Sequence, residues 1–209
     1  MLIERRRGYG RACLSGAQRA REIGAEIVLF LDGDGADAGD EAGRIVAPVL
    51  ADEADFVLAT RTMGPRESRS MGAHQILAGW LIGYLAGVVG GVRYTDMSAF
   101  RAIRSERLAA LSMREATYGW NLEMQLRAAA AGLRIREVAL PYRRRVAGRS
   151  KVAGTLRGSL RAGARVVSTL IRVSLELRRE KPLTTGHSRH SHTPAHAEGA
   201  PHANEPIPR

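Results

Sequence analysis

Glu26-Ile-Val-Leu-Phe-Leu31 carries no polar side chain after its first residue and stops abruptly at Asp32-Gly-Asp-Gly35. A short, continuous apolar run bounded in this way predicts a strand buried on both faces, the habit of strands in parallel sheets. On its N-terminal side, residues 8–23 place Ala12, Leu14, Ala17, Ala20 and Ile23 on or near one side of a helix. On its C-terminal side, residues 40–50 predict a helix opened by acidic residues, and residues 55–60 a second buried strand. Helix, strand, helix, strand in that order predicts an α/β fold: a mostly parallel sheet with flanking helices.

Residues 61–70 are polar and hold Gly64 and Pro65, which predicts a loop. Residues 71–92 contain no charged side chain and are long enough to be tested as a bilayer span. Five glycines between Gly79 and Gly91, with His74 and Gln75 near the start, favour a buried or interfacial helix instead. A loop into a strand over 94–103, helices over 105–111 and 120–131, and a last strand over 133–142 complete the body.

The chain has 209 residues, 44% hydrophobic and 25% charged, which excludes collagenous, disulfide-stapled and wholly disordered proteins. Its net charge of +11 is uneven. Residues 1–133 hold 16 Arg against 16 acids, whereas residues 134–181 hold 14 basic residues against 3 acids. Arg makes up 30 of the 32 basic residues, so biased composition accounts for part of the excess. Cys13 is the single cysteine; it has no disulfide partner and reads as a small buried hydrophobe. The N-terminus lacks the apolar core of a secretion signal, so the expectation is an active surface on the cytoplasmic side.

Within residues 151–181, helical geometry puts Leu156, Leu160, Gly163, Val167, Leu170, Ile171 and Ser174 on one side. Arg157, Arg161, Arg165 and Arg172 gather on the other flank. The apolar side of such a basic amphipathic helix packs on the domain or lies on an anionic membrane surface. Residues 182–209 hold five of the six histidines and almost no apolar content, which predicts a disordered tail. The chain therefore divides into a body over 1–150, a basic helix over 151–181 and a tail over 182–209.

Asp32 and Asp34 follow a buried strand directly, and ligands of parallel sheets collect at the carboxyl ends of the strands. Two carboxylates there repel unless a cation joins them, and a hard divalent ion, Mg²⁺ or Mn²⁺, held with a diphosphate meets that need. An EF-hand is disfavoured, because no Glu stands at the twelfth position of such a loop, where Gly43 is found.

Asp32-Gly-Asp34 after this strand resembles the Asp-x-Asp motif of the GT-A glycosyltransferases, specifically family 2. The resemblance continues through Arg5-Arg-Arg-Gly-Tyr-Gly10, Tyr94-Thr-Asp-Met-Ser-Ala-Phe-Arg101, Tyr118-Gly-Trp-Asn-Leu-Glu-Met-Gln125 and Arg145-Val-Ala-Gly-Arg-Ser-Lys151, in the family's order. It implies a GT-A, Rossmann-like domain in which Asp32 and Asp34 hold the metal and the diphosphate of a nucleotide-sugar donor. The last segment looks like the acceptor-phosphate segment of dolichyl- and polyprenyl-phosphate glycosyltransferases. Arg145, Ser150 and Lys151, with Arg61 after the second strand, are then the groups that bind the lipid phosphate. Asp96 is the candidate catalytic carboxylate, with Ala99 where the family pattern has Gly. An ionised phosphate acceptor needs no general base, so Asp96 can instead orient the reacting groups. Glu123 is expected to hold Arg101 or a backbone group.

The resemblance also implies that the opening strand and Pro-x-x-Asn-Glu segment of the family are missing. The expectation is an N-terminally truncated domain, inactive alone or completed by a second copy or another chain, in which central strands become edges. The function expected is inverting sugar transfer to a polyprenyl phosphate by a protein peripheral to the inner face of the plasma membrane. A non-catalytic membrane-binding remnant is the alternative. Nucleic-acid binding through residues 134–181 ranks last, because few aromatics lie there to stack on bases.

Overall fold

The computed structural model describes residues 2–65, 67, 83, 84, 87, 91–146 and 156–180, with the side chains of the last helix from residue 163 onward. In chain order these form α1 (Tyr9–Glu22), β1 (Ile27–Phe30), a 3-10 turn (Gly39–Glu41), α2 (Ala42–Leu50) and β2 (Phe56–Thr60). Then come β3 (Arg101–Arg104), α3 (Ser105–Ala110), α4 (Trp120–Ala130), β4 (Ile135–Ala139) and α5 (Leu156–Glu180). Residues 71–92 lie largely outside the described residues, as do residues 182–209. Among the described residues no helix is long and apolar enough to cross a membrane.

The four strands are ordered β1-β3-β2-β4. β1, β2 and β4 point the same way, as expected, but β3 is inserted antiparallel between β1 and β2, so β2 and β4 make the one parallel pairing. The reason lies in the connection. The Asp96 carboxylate binds Arg61, the residue that follows β2, so the chain re-enters the sheet from the end at which it left. A parallel strand would have required a crossover to the opposite end.

β2 is buried along its whole length, as expected for the interior of the sheet. Its side chains alternate between two cores. Phe56 and Leu58 join Ile103, Leu122 and Leu126 beneath α4 and α5, while Val57 and Ala59 join Ile45, Val49 and Ala102 beneath α2. Each of these large side chains stabilises the fold by about 1.5–3 kcal/mol on full burial. β1 departs from the expectation of burial on both faces: it lies at the edge of the sheet, and Leu29 and Leu31 are exposed.

α1 begins against the 115–117 segment, where Gly10 N donates to Thr117 O (3.2 Å) and Arg11 N to Ala116 O (3.0 Å). These carbonyls satisfy first-turn amides that have no partner within the helix. The approach is so close that a Cβ on Gly10 would sit 2.2 Å from Glu115 O. At the other end of the sheet Asp55 joins the starts of β2 and β4. It accepts from Arg134 N (3.0 Å) and Arg134 Nε (3.1 Å), and the Arg134 hydrogen bond pulls its carboxyl down to about 2.

α5 packs on α4, but through a stripe rotated from the one expected. Val166, Thr169 and Val173 are buried, whereas Val167 and Ile171 are 54% and 55% exposed. The helix carries two adjacent apolar stripes, and its pattern alone does not say which one meets the domain. Polar partners decide it. Arg172, expected among the solvated arginines, pairs with Glu115 (3.1 Å), Glu123 (3.4 Å) and Glu176 (3.1 Å). Glu123 is fully buried and also accepts from Arg114 N (3.0 Å), Glu115 N (2.6 Å) and Arg127 Nε (3.0 Å). It therefore holds backbone groups as expected, but Arg127 and Arg172 in place of Arg101.

Candidate active site at the sheet end

Because β3 runs against its neighbours, its N-terminal end lies beside the C-terminal ends of β1, β2 and β4. Four loops converge there: 31–38 after β1, 61–65 after β2, 94–100 before β3, and 140–146 after β4. Asp32 and Asp34 belong to the first, Arg61 to the second, Asp96 to the third and Arg145 to the fourth. Ser150 and Lys151 lie outside the described residues.

The Asp34 carboxylate closes its own turn, since Oδ1 accepts from Ala36 N at 2.9 Å. Gly35, with φ +77°, permits that turn, and a Cβ there would press on Val146 at 2.9 Å. Oδ2 of Asp34 pairs with Arg145 Nη2 at 2.8 Å. The backbone seals the same contact: Val146 N donates to Asp34 O and Arg143 N to Ala36 O, both at 2.9 Å, and an isolated bridge joins Asp37 to Tyr142. The segment after β4 is thus laid directly across the turn that carries the two aspartates.

Asp32 is half-buried. Burial raises its carboxyl pKa and Asp34 adds to the rise, against the opposing charges of Arg61, Arg145 and Arg101. Among the described residues no three His, Cys, Asp or Glu side chains cluster as a cage for a cation. Two carboxylates of this kind fit a hard divalent ion that draws its other ligands from phosphate oxygens and water.

The catalytic role expected of Asp96 is not what its position offers. Its side chain is wholly buried, and both oxygens are engaged. Oδ2 accepts from Arg61 Nε (2.7 Å) and Arg61 N (2.9 Å), and Oδ1 from Arg61 Nη2 (2.7 Å) and Met97 N (2.7 Å). Burial works against the charge of Asp96, but Arg61 outweighs it and holds the carboxyl below its usual range. Asp96 is a clamp on Arg61. The clamped guanidinium lies 5.3 Å over the Tyr142 ring, a cation–π contact that fixes its second face. Gln125 Nε2 supports the Asp96 carbonyl at 2.9 Å, and a hydroxyl pair, Thr95 Oγ1 to Thr60 Oγ1 at 2.7 Å, ties the two loops below.

Three further residues belong to this end of the sheet. Tyr142 stacks on Arg61. Arg101 is fully buried and donates to Ser98 O (2.9 Å) and Asn121 O (3.1 Å), so a guanidinium stiffens the loop before β3. Asp37 continues the acidic string by three positions, the one sequence signal that marks it. Burial pushes its carboxyl up to about 6, against the attraction of Arg61 and with repulsion from Asp32 and Asp34 adding to the rise.

A raised acid pKa means that the folded state binds the proton more tightly than the unfolded chain does. Stability contributed at Asp37 therefore falls as pH rises from about 4 to about 6. Asp37→Asn is expected to remove that decline and to stabilise the chain at pH 7 by about 1 kcal/mol, allowing for solvent screening. Urea denaturation at pH 4 and pH 7 checks this. A variant less stable than the parent at pH 7 would contradict it.

Comparison with known proteins bears on the family and the fold. Residues 2–107 match the profile of Glycosyl transferase family 2. A UDP-N-acetylglucosamine–dolichyl-phosphate N-acetylglucosaminyltransferase of Methanococcus voltae is 29% identical over 110 residues, covering 52% of this chain and 44% of the relative. An uncharacterized glycosyltransferase of Mycobacterium tuberculosis is 33% identical over 167 residues, covering 77% and 71%. The crystal structure of glucosyl-3-phosphoglycerate synthase from Mycobacterium tuberculosis, in complex with Mn²⁺, UDP-glucose and phosphoglyceric acid, superposes with a TM-score of 0.56 at 20% identity. That superposition covers 82% of this chain and 56% of the synthase. The chain thus spans about half the length of the first of these relatives and of the synthase.

Proposed function

Since the chain belongs to glycosyl transferase family 2, we propose that it takes part in moving a sugar from a nucleotide-diphosphate donor to a polyprenyl phosphate. The observation that carries the reading is the meeting of paired carboxylates with Arg61 and Arg145 at one sheet end. Carboxylates suit a cation-bound diphosphate, and guanidinium groups beside them suit a second, phosphate-bearing substrate. The dolichyl-phosphate relative supports a lipid phosphate as that substrate, and the Mn²⁺ and UDP-glucose of the synthase support a metal-bound nucleotide sugar.

Asp32 and Asp34 would hold Mg²⁺ or Mn²⁺, which supplies charge neutralisation on the departing diphosphate. Arg61 and Arg145, with Ser150 and Lys151, would orient the acceptor phosphate. An ionised phosphate oxygen is already a nucleophile, so no side chain need remove a proton. Its attack on the anomeric carbon opposite the diphosphate forms one carbon–oxygen bond as the other breaks, and the configuration inverts. Asp96 contributes by holding Arg61, not by proton transfer.

An outward apolar stripe on α5, formed by Val167, Ile171 and Leu175 with exposed Arg165, Arg178 and Arg179, supports a peripheral position on an anionic lipid surface at the cytoplasmic face. The test is transfer of labelled sugar from a panel of nucleotide sugars to a polyprenyl phosphate in anionic vesicles, with Mg²⁺ or Mn²⁺ or with a chelator. Label is expected in the lipid product as the inverted anomer, and only with metal. Vesicle binding without transfer from any donor would favour a non-catalytic membrane protein.

A further inference from the structure

Each oxygen of Asp34 already holds one partner, and one of the two partners is itself a cation. Oδ1 is bound to Ala36 N inside a turn that Gly35 fixes. Oδ2 is bound to Arg145, whose side chain is 38% exposed against 15% for Asp34. Each oxygen has a further lone pair, but a divalent cation on this carboxylate lies within a few ångströms of the Arg145 guanidinium, and like charges that close repel, so one of the two contacts gives way. The backbone contact is part of the turn itself, whereas the guanidinium sits on a flexible stem with water to turn to. It is Arg145 that yields.

We propose that Arg145 occupies Asp34 as a resident cation and is released toward the acceptor phosphate when the donor's metal ion binds. The inference rests on the proposed function and deepens it, because one arginine then links the two substrates. While Arg145 is paired with Asp34 through Nη2, its charge is partly offset and that N–H is occupied, so it is a weaker phosphate ligand than when released. Metal at Asp34 frees the guanidinium beside the site, still tethered by the hydrogen bonds of Arg143 N and Val146 N to the same turn. The acceptor is therefore bound well only after the donor's cation. By linkage, whatever factor the metal adds to phosphate affinity the phosphate adds to metal affinity.

The experiment uses the full chain, with Mn²⁺ alone followed by electron paramagnetic resonance, and farnesyl monophosphate as the acceptor probe followed by calorimetry. Arg145→Ala is expected to bind Mn²⁺ about three- to five-fold more tightly than the parent, the scale of a partly exposed ion pair. General damage to the site would weaken binding instead. Arg143→Ala removes the same charge two residues away, where the partner is Asp40 at 2.9 Å, and is expected to leave Mn²⁺ affinity unchanged. Mn²⁺ is expected to tighten farnesyl monophosphate on the parent and to have no effect on it in Arg145→Ala.

Equal Mn²⁺ affinity in the parent and Arg145→Ala, with binding lost in Asp34→Ala, would overturn the handover and leave the metal site standing. Equal gains in Arg145→Ala and Arg143→Ala would overturn it too, as a general charge effect. No Mn²⁺ binding by the parent or by Arg145→Ala would overturn both the handover and the metal site.

Discussion

Asp96→Ala is expected to destabilise the folded chain by about 3 kcal/mol, at the lower end of the cost of breaking a buried ion pair. Four hydrogen bonds go at once, two of them from the backbone amides of Arg61 and Met97. Arg61 is left without its partner, yet its side chain is 24% exposed and still stacks on Tyr142, so water partly repays the loss. The reverse change is harsher. Arg61→Ala strands a carboxylate with no exposure at all, and such a group responds by taking up a proton. Urea denaturation of both variants measures the asymmetry. A loss below about 1 kcal/mol in Asp96→Ala would mean that the clamp is not structural. Sugar transfer should fall in both variants, because each releases the guanidinium proposed to orient the acceptor.

Asp34→Ala should separate stability from chemistry. The side chain is 15% exposed, and its loss costs one turn hydrogen bond and one partly exposed ion pair, together about 1–2 kcal/mol. Transfer should fall by about 100-fold or more, since cation stabilisation of a departing diphosphate is worth several kcal/mol and about 1.4 kcal/mol is a factor of ten. Asp34→Asn refines the comparison: its carbonyl can keep the bond from Ala36 N while the charge is gone. Near-native stability with transfer still lost identifies the charge as the functional element. Initial rates and urea midpoints of the two variants decide it, and a rate within about ten-fold of the parent would remove Asp34 from the proposed mechanism.

The site was legible in the sequence wherever local pattern and chemistry coincide. Asp32 and Asp34 could be found because a buried strand ends at them, and Arg61 through the family resemblance. Arg145 stood out through the motif that contains it. Asp96 was legible as a position but not as a role, since a loop carboxylate looks the same whether it faces substrate or is closed off by an arginine 35 residues away. Tyr142 had no local signal, and Arg101 stood in a motif without its partners being readable, because a ring under a guanidinium and a guanidinium among carbonyls are made by loops that meet only in the folded chain.

By itself the sequence determined the element order, the full burial of β2, the turn at Asp32 to Gly35 and the family, because each follows from an apolar run, a turn requirement or a run of motifs. The tertiary structure alone decided three things. It inserted β3 antiparallel, because residues 61–100 bring the chain back to the sheet end that it left. It chose which of two neighbouring stripes of α5 meets the domain, because Arg172 can reach the buried Glu123 from only one rotation of the helix. It set Arg145 on Asp34 and Arg61 on Asp96, because charge pairing acts through space and leaves no trace in the spacing of residues along the chain.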